Sequence, residues 1–332
     1  GGGRGLSVNH LTRPHPNPPL RRRGKFYDMK RTFIIISCCL LGVLALRWQI
    51  QQTTVQSSPT PVLQSASHDS NALRVTFLDV GQGDASLIDF TNGEQMLVDC
   101  SSDSRILSAL GRVMKFYDNQ IDYLLVSHPD LDHYGGCEDV LRRFDVKHII
   151  TNGFDKDYDS AWRSFKQAIV DEKAEWVIID SERELLVSNS VIQFLYPDHS
   201  LASDASVPDS GKAVESNYTS IIFELVYKNK KVLFVGDAGE EEEDYIVKKY
   251  GTELDVDVIK VGHHGSYHSS SDAFLKLVTP QIAVISVGAG NSYGHPSHRT
   301  MRRLENIGST VYRTDIDKDV GVEIGDEVGV VK

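Results

Sequence analysis

Residues 127–136 read SHPDLDHYGG, and four side chains able to bind a metal, His128, Asp130, Asp132 and His133, fall within six of them. The apolar run IDYLLV at 121–126 leads in, and Gly135 and Gly136 lead out, letting the backbone turn into a helix. Alternate residues of an extended segment share a side, so His128, Asp130 and Asp132 can converge while His133 reaches a neighbouring position. Asp and His are also common in solvated turns. Packed against a buried strand, however, four such groups would repel or desolvate one another without a cation. A metal site is therefore expected here.

Three later stretches also end apolar runs on chemistry-bearing side chains. VLFVGDAG at 232–239 places Asp237 after a strand and a glycine, where a carboxylate can bridge two cations. KVGHHGS at 260–266 ends a buried run on His263 and His264. Adjacent residues point different ways, so one is expected to ligate and the other to touch substrate, and the sequence does not say which. YGHP at 293–296 sets His295 in a loop before a helix. Lone histidines there are often structural, and only the strand-end setting argues for a role. Asp79 and Asp84 flank the Gly-Gln-Gly turn of FLDVGQGDA (77–85) and are expected to hydrogen-bond it. Asp99, closing LVD at 97–99, is expected to orient the metal loop from behind.

From Ala72 strands and helices alternate. Strands are expected at 73–80, 85–89, 95–99, 121–126, 148–150, 187–195, 220–226, 231–235, 257–261 and 281–287. Helices are expected at 104–116, 137–144, 160–171, 240–250, 298–307 and from 271, with a terminal β segment and a long polar loop at 197–216. The pattern predicts an α/β fold of two sheets flanked by helices.

The front of the chain differs. Residues 1–28 are rich in Gly, Pro and Arg and read as a disordered or non-native basic leader. After Met29, Lys30 and Arg31 precede fifteen uncharged residues, TFIIISCCLLGVLAL, the pattern of a secretory signal or an N-terminal anchor over 29–49. Residues 50–71 read as a polar linker and 72–332 as the folded domain. Export is expected, to a periplasmic or extracellular position or one anchored by that segment, which is then the only membrane contact. Residues 1–71 carry nine Lys/Arg against two Asp/Glu, a net +7, whereas residues 72–332 carry −18. Such an acidic body argues against gripping nucleic acid by phosphate neutralisation alone. The four cysteines cannot make a disulfide-dense scaffold, and plain packing is expected for Cys100 and Cys137 ahead of a thiolate ligand or a bridge between them.

In that order the motifs, FLDVGQGDA, LVD, HxDxDH, GD, HHGS and YGHP, resemble the metallo-β-lactamase superfamily. More narrowly they resemble the hydrolase domain of the ComEC-type competence proteins and its free-standing relatives, over residues 73–324. The resemblance implies an αββα four-layer sandwich with two divalent metal ions, Zn²⁺ or Mn²⁺, at one edge of the sheets. It implies that His128 and Asp130 hold one ion and Asp132 and His133 the other, with Asp237 bridging and His264 completing the set. Asp132, His263 and His295 are then the catalytic candidates. Asp130 stands where the wider superfamily has a second histidine, and SNYTS at 216–220 lacks the histidine found between HxDxDH and GD, with Asn217, Thr219 or Ser220 in its place. The many-span channel of the full competence proteins has no counterpart in this sequence.

The function expected from the resemblance is phosphodiester hydrolysis by a dinuclear metal-activated hydroxide, on a small molecule or on DNA, with no protein partner. Two alternatives stand beside it: a β-lactam or lactone hydrolase, which the missing histidine disfavours, and a non-catalytic metal-binding surface module.

Overall fold

Leu73, Val75 and Phe77 alternate with Arg74 and Thr76 along one strand, so three apolar side chains share a face. The computed structural model describes residues 63–64, 73–208, 210 and 215–331. The basic leader and the expected export segment lie outside the described residues.

Within the described residues there are two eight-stranded sheets. The first runs, in spatial order, β16 (Val328–Val331), β15 (Val320–Ile324), β2 (Leu73–Phe77), β3 (Ser86–Asp89), β4 (Gln95–Val98), β5 (Gln120–Leu125), β6 (Asp145–Thr151) and β7 (Glu175–Ile178). The second runs β1 (Leu63–Gln64), β8 (Arg183–Val187), β9 (Ser190–Tyr196), β10 (Ile222–Tyr227), β11 (Lys230–Phe234), β12 (Val258–Lys260), β13 (Ile282–Ile285) and β14 (Thr310–Arg313). In each sheet four consecutive strands are parallel, β4 to β7 and β11 to β14. Parallel strands present their carboxyl ends together, which is where α/β sheets place their sites.

Period-two alternation sends the two faces of each strand into different cores. Val75, Phe77, Met96 and Val98 meet Phe223, Phe234 and Val258 between the sheets. Phe234 stacks on Phe223 at 4.7 Å and on Phe77 at 5.9 Å between ring centroids. Burying each such ring contributes about 2–3 kcal/mol. Leu87 and Leu97 face outward instead, against Ile106 and Leu110 of α1 (Arg105–Val113), Val140 of α3 (Cys137–Arg143) and Phe165 of α4 (Ser160–Glu172). Leu233, Ile259 and Ile285 do the same on the second sheet, against Ile246 of α5 (Glu240–Tyr250), Phe274 of α6 (Asp272–Val278) and Leu304 of α7 (His298–Asn306). Three cores separate four layers, the αββα sandwich expected. The short helices α2 (Leu131–Tyr134) and α8 (Thr314–Asp317) sit at strand ends.

Three details differ from the sequence reading. The strand expected at 187–195 is a hairpin, β8 and β9, reversing at Ser188, whose φ of 54° lies in the left-handed region. Strand β7 was not expected, because Glu175, Trp176 and Ile178 are exposed and leave no alternation to read. Cys100 and Cys137 are joined by a disulfide instead of packing as free thiols. Both are fully buried, and the backbone around Gly136 and Cys100 is too close for a side chain: a Cβ on Gly136 would lie 2.4 Å from the Cys100 carbonyl oxygen.

Candidate metal centre

β4 and β5 are parallel neighbours, so the residues after them, Asp99 and Ser127, emerge side by side. The Asp99 carboxylate accepts hydrogen bonds from the Ser127 amide and hydroxyl, each at 2.8 Å, and lies 2.9 Å from Nδ1 of His133. With Nδ1–H donated to Asp99, His133 Nε2 is left facing the site, where a cation can replace its proton. The loop carrying His133 is held from the other side by backbone donors: Asp84 N to the Asp132 carbonyl and Cys100 N to the His133 carbonyl, at 3.1 and 2.6 Å. Gly83, at φ 100°, must be glycine, since a Cβ there would sit 2.0 Å from the Asp132 carbonyl oxygen.

The second sheet supplies the facing groups. Asp237 follows β11, with its amide donating to Ser220 Oγ at 3.0 Å. His263 and His264 follow β12 with φ of 47° and 51°, a left-handed pair that sends the two rings apart. His264 Nδ1 donates to the Ser286 carbonyl at 3.0 Å, and its Nε2 lies 3.3 Å from Asp132 and 3.5 Å from Asp237. His133 Nε2 lies 3.3 Å from the same Asp237 oxygen.

The result is a set of ligand-capable groups converging at the mouth between the sheets. His128, His133 and Asp237 bring one atom each to within 4.8 Å of one another, as do Asp132, His133 and His264, and Asp84, Asp237 and His264. Nε2 of His128, His133 and His264 and Oδ1 of Asp237 are buried without a hydrogen-bond partner. Native interiors rarely leave such atoms bare, so this donor set fits divalent cations. Protonation tells the same story. Burial opposes charge on His264, but Asp237, Asp84 and Asp132 outweigh it and push its pKa up to about 10. His133 is raised well above the ordinary imidazole value against the same burial penalty, by Asp237 and Asp99. In the absence of cations, protons neutralise the carboxylates.

Of the residues expected from the sequence, His128, Asp132, His133, Asp237 and His264 come together in these groups. Asp130 stands slightly apart: one oxygen is 3.6 Å from His128 Nε2 and the other is held by the Lys156 ammonium at 2.6 Å. His263 Nε2 is 3.8 Å from Asp237 and 3.4 Å from the Asn217 amide nitrogen. The His295 ring lies 5.8 Å from that of His263 and stacks on Tyr293. In the stretch without a histidine, Ser220 stands next to the cluster, with its hydroxyl 3.3 Å from His128 Nδ1.

Two residues of the centre were missed. Asp79 does brace the Gly-Gln-Gly turn, accepting from Gly81 N at 3.3 Å, but Asp84 does not. Its carboxylate turns inward, forms an ion pair with Lys260 and lies 3.3 Å from His264 Nδ1. Lys260 is 3% exposed and also donates to the Gly236 carbonyl at 2.9 Å. Its signal was in the sequence: β12 alternates, Val258 faces the inter-sheet core and Ile259 faces outward, so Lys260 must point between the sheets.

The family model described as Metallo-beta-lactamase superfamily matches residues 78–192 and 202–289, more than half of the chain. Recombination protein 2 of Haemophilus influenzae is 28% identical over 312 residues, covering 91% of this chain and 34% of its own length. Competence protein ComA of Neisseria gonorrhoeae is 29% identical over 250 residues, 74% of this chain and 31% of its own. The chain thus spans about a third of the length of these relatives. Among solved structures, the metallo-beta-lactamase fold protein YhfI from Bacillus subtilis aligns with a TM-score of 0.50 at 12% identity, covering 76% of this chain and 100% of that one.

Proposed function

Because the chain belongs to the metallo-beta-lactamase superfamily, we propose that it is a metal-dependent hydrolase acting on phosphodiesters. The observation that carries this is the convergence of bare imidazole nitrogens and carboxylate oxygens from both sheets, a donor set suited to two divalent ions, Zn²⁺ or Mn²⁺. His128, His133 and Asp237 on one side and Asp132, Asp237 and His264 on the other would hold them, and such ions polarise a phosphoryl group and acidify an attacking water.

The remaining work falls to the chain. Asp99 and the Ser286 carbonyl fix the tautomers of His133 and His264. Lys260 balances the charge of Asp84 and, at 3.7 Å, of Asp237. Burial lowers the pKa of His263, so near neutral pH this ring is uncharged and can take a proton at the mouth of the site. His295 is lowered in the same way, and the two rings are the groups available to orient a substrate oxygen there.

Phosphodiesters are favoured over lactams by a site rich in carboxylates and by the serine, not histidine, beside His128 and Asp237. The likeness to recombination and competence proteins supports the same choice. Export is supported by the Cys100–Cys137 disulfide, a bond that persists in oxidising compartments.

The test is a chelator-stripped preparation of the full chain assayed on bis-p-nitrophenyl phosphate and on nitrocefin. Turnover of the phosphodiester only after Mn²⁺ or Zn²⁺ is added, and its loss in a folded Asp132→Ala variant, are expected. Nitrocefin cleavage without phosphodiester cleavage, or metal binding with no turnover of either, overturns the reading.

A further inference from the structure

The helix α7 reads HRTMRRLEN, three arginines against one glutamate in a body that is otherwise strongly acidic. Arg299, Arg302, Arg303 and Asn306 recur at helical spacing and share one face, while Thr300 and Leu304 are buried on the other. That polar face forms one wall of a groove of about 650 Å³ lined by Tyr267, Gly294, Ser297, Arg299, Arg302 and Asn306 among others. Arg303 is spoken for: it is buried and takes up the carboxylates of Glu240 and Asp272, each at 3.3 Å. Arg302 is exposed, and no carboxylate pairs with it among the described residues. The Arg299 guanidinium lies 4.3 Å above the Tyr267 ring and 3.5 Å from Glu240.

The helix that walls the groove is tied to the loop of the metal centre. Ser297 N donates to the Gly265 carbonyl at 2.8 Å and Thr300 Oγ1 to the Ser266 carbonyl at 2.6 Å, so the first turn of α7 is pinned to the loop carrying His263 and His264. Gly294, in the groove wall, adjoins His295. At that junction Tyr293 is 71% exposed, and Tyr267 is 51% exposed. Exposed aromatic rings beside guanidinium groups, Arg302 without a carboxylate partner and Arg299 shared between Glu240 and the Tyr267 ring, are the two components of a surface that holds an unpaired polynucleotide: bases stack, phosphates pair, and no base sequence is read.

We infer that this groove seats a single nucleic-acid strand, with bases against Tyr267 and Tyr293 and phosphates against Arg299 and Arg302, and leads its backbone past His295 into the metal centre. The inference rests on the phosphodiesterase reading for its purpose, though binding itself needs no metal. A duplex is disfavoured, because its bases are not free to stack and the acidic body repels its denser charge.

Fluorescence anisotropy of an end-labelled oligothymidylate with the full chain in chelator tests it. The basic residues 1–71 add a background common to every variant. Tyr267→Ala is expected to weaken binding roughly tenfold. The Arg299→Ala/Arg302→Ala double variant should weaken it and lower the slope of log affinity against log salt by about 1.4. Arg142→Ala, an exposed arginine on α3, should bind as the unaltered protein does. Binding unaffected by the groove variants, an equal loss in Arg142→Ala, or tighter binding of a duplex overturns the inference. Failure of the unaltered protein to turn over bis-p-nitrophenyl phosphate, with groove-dependent binding intact, overturns the phosphodiesterase reading and leaves the groove standing.

Discussion

Asp99 Oδ2 sits 2.9 Å from His133 Nδ1, and its other oxygen accepts the Ser127 amide, so one carboxylate fixes both the ring and the start of the loop that bears it. His133 Nε2 is thereby aimed into the site, 3.3 Å from Asp237.

Replacing Asp99 with Asn keeps the shape and removes the charge that holds this tautomer. Affinity for Zn²⁺ or Mn²⁺, read by chelator competition, is expected to fall about 10–100-fold while the circular dichroism spectrum is unchanged. Unchanged affinity would remove Asp99 from the account.

Lys260 and Asp84 are a buried pair, 3% and 5% exposed at their side chains. Lys260→Met strips the Asp84 carboxylate of its ammonium partner and leaves His264 as the remaining cationic neighbour, and urea unfolding in chelator should show a loss of about 3 kcal/mol. Adding Asp84→Asn to the same chain should restore most of it. A single variant as stable as the parent would mean that the pair carries no such charge balance.

Much of this centre could be read before the structure, because its groups stand at the ends of apolar runs. The runs around 121–126, 232–235 and 257–261 each became a strand, and the side chains just beyond them converge because parallel strands end on one edge. What escaped the reading lay in pairings across the sheets. Asp84 looks like a turn residue until β12 is seen to aim Lys260 at it. Cys100 and Cys137 are 37 residues apart, and only the return of α3 over the Asp99 loop brings their Cα atoms to 5.2 Å. Strand β7 was invisible because its exposed apolar residues follow no alternation.

His264, pushed up to about 10, and His133, also raised, are protonated at neutral pH without metal. Binding a cation at Nε2 expels those protons. Apparent metal affinity should therefore rise with pH, the His264 proton contributing about tenfold per unit until the pH passes about 10 and the raised His133 steepening the rise. In the metal-free chain, protonation of His264 stabilises the fold fully below about 6.5, and that contribution is lost as pH rises through about 10. Calorimetry in buffers of different ionisation enthalpy checks this; pH-independent binding with no proton release contradicts it.

The Cys100–Cys137 bond closes a loop that contains Ser127, His128 and His133. The double variant Cys100→Ala/Cys137→Ala is expected to lose about 4 kcal/mol in chemical denaturation on loop-entropy grounds. Reductant should lower the stability of the parent and leave the double variant unmoved. Equal sensitivity of both would assign the effect elsewhere.

The most direct measurement is the number of divalent ions retained per chain after dialysis, by elemental mass spectrometry, in the parent and in Asp237→Ala and His264→Ala. The parent is expected to hold two Zn²⁺ or Mn²⁺ ions and each folded variant fewer. A parent that retains none, or variants that retain as many as the parent, would contradict the claim that these side chains meet to bind metal.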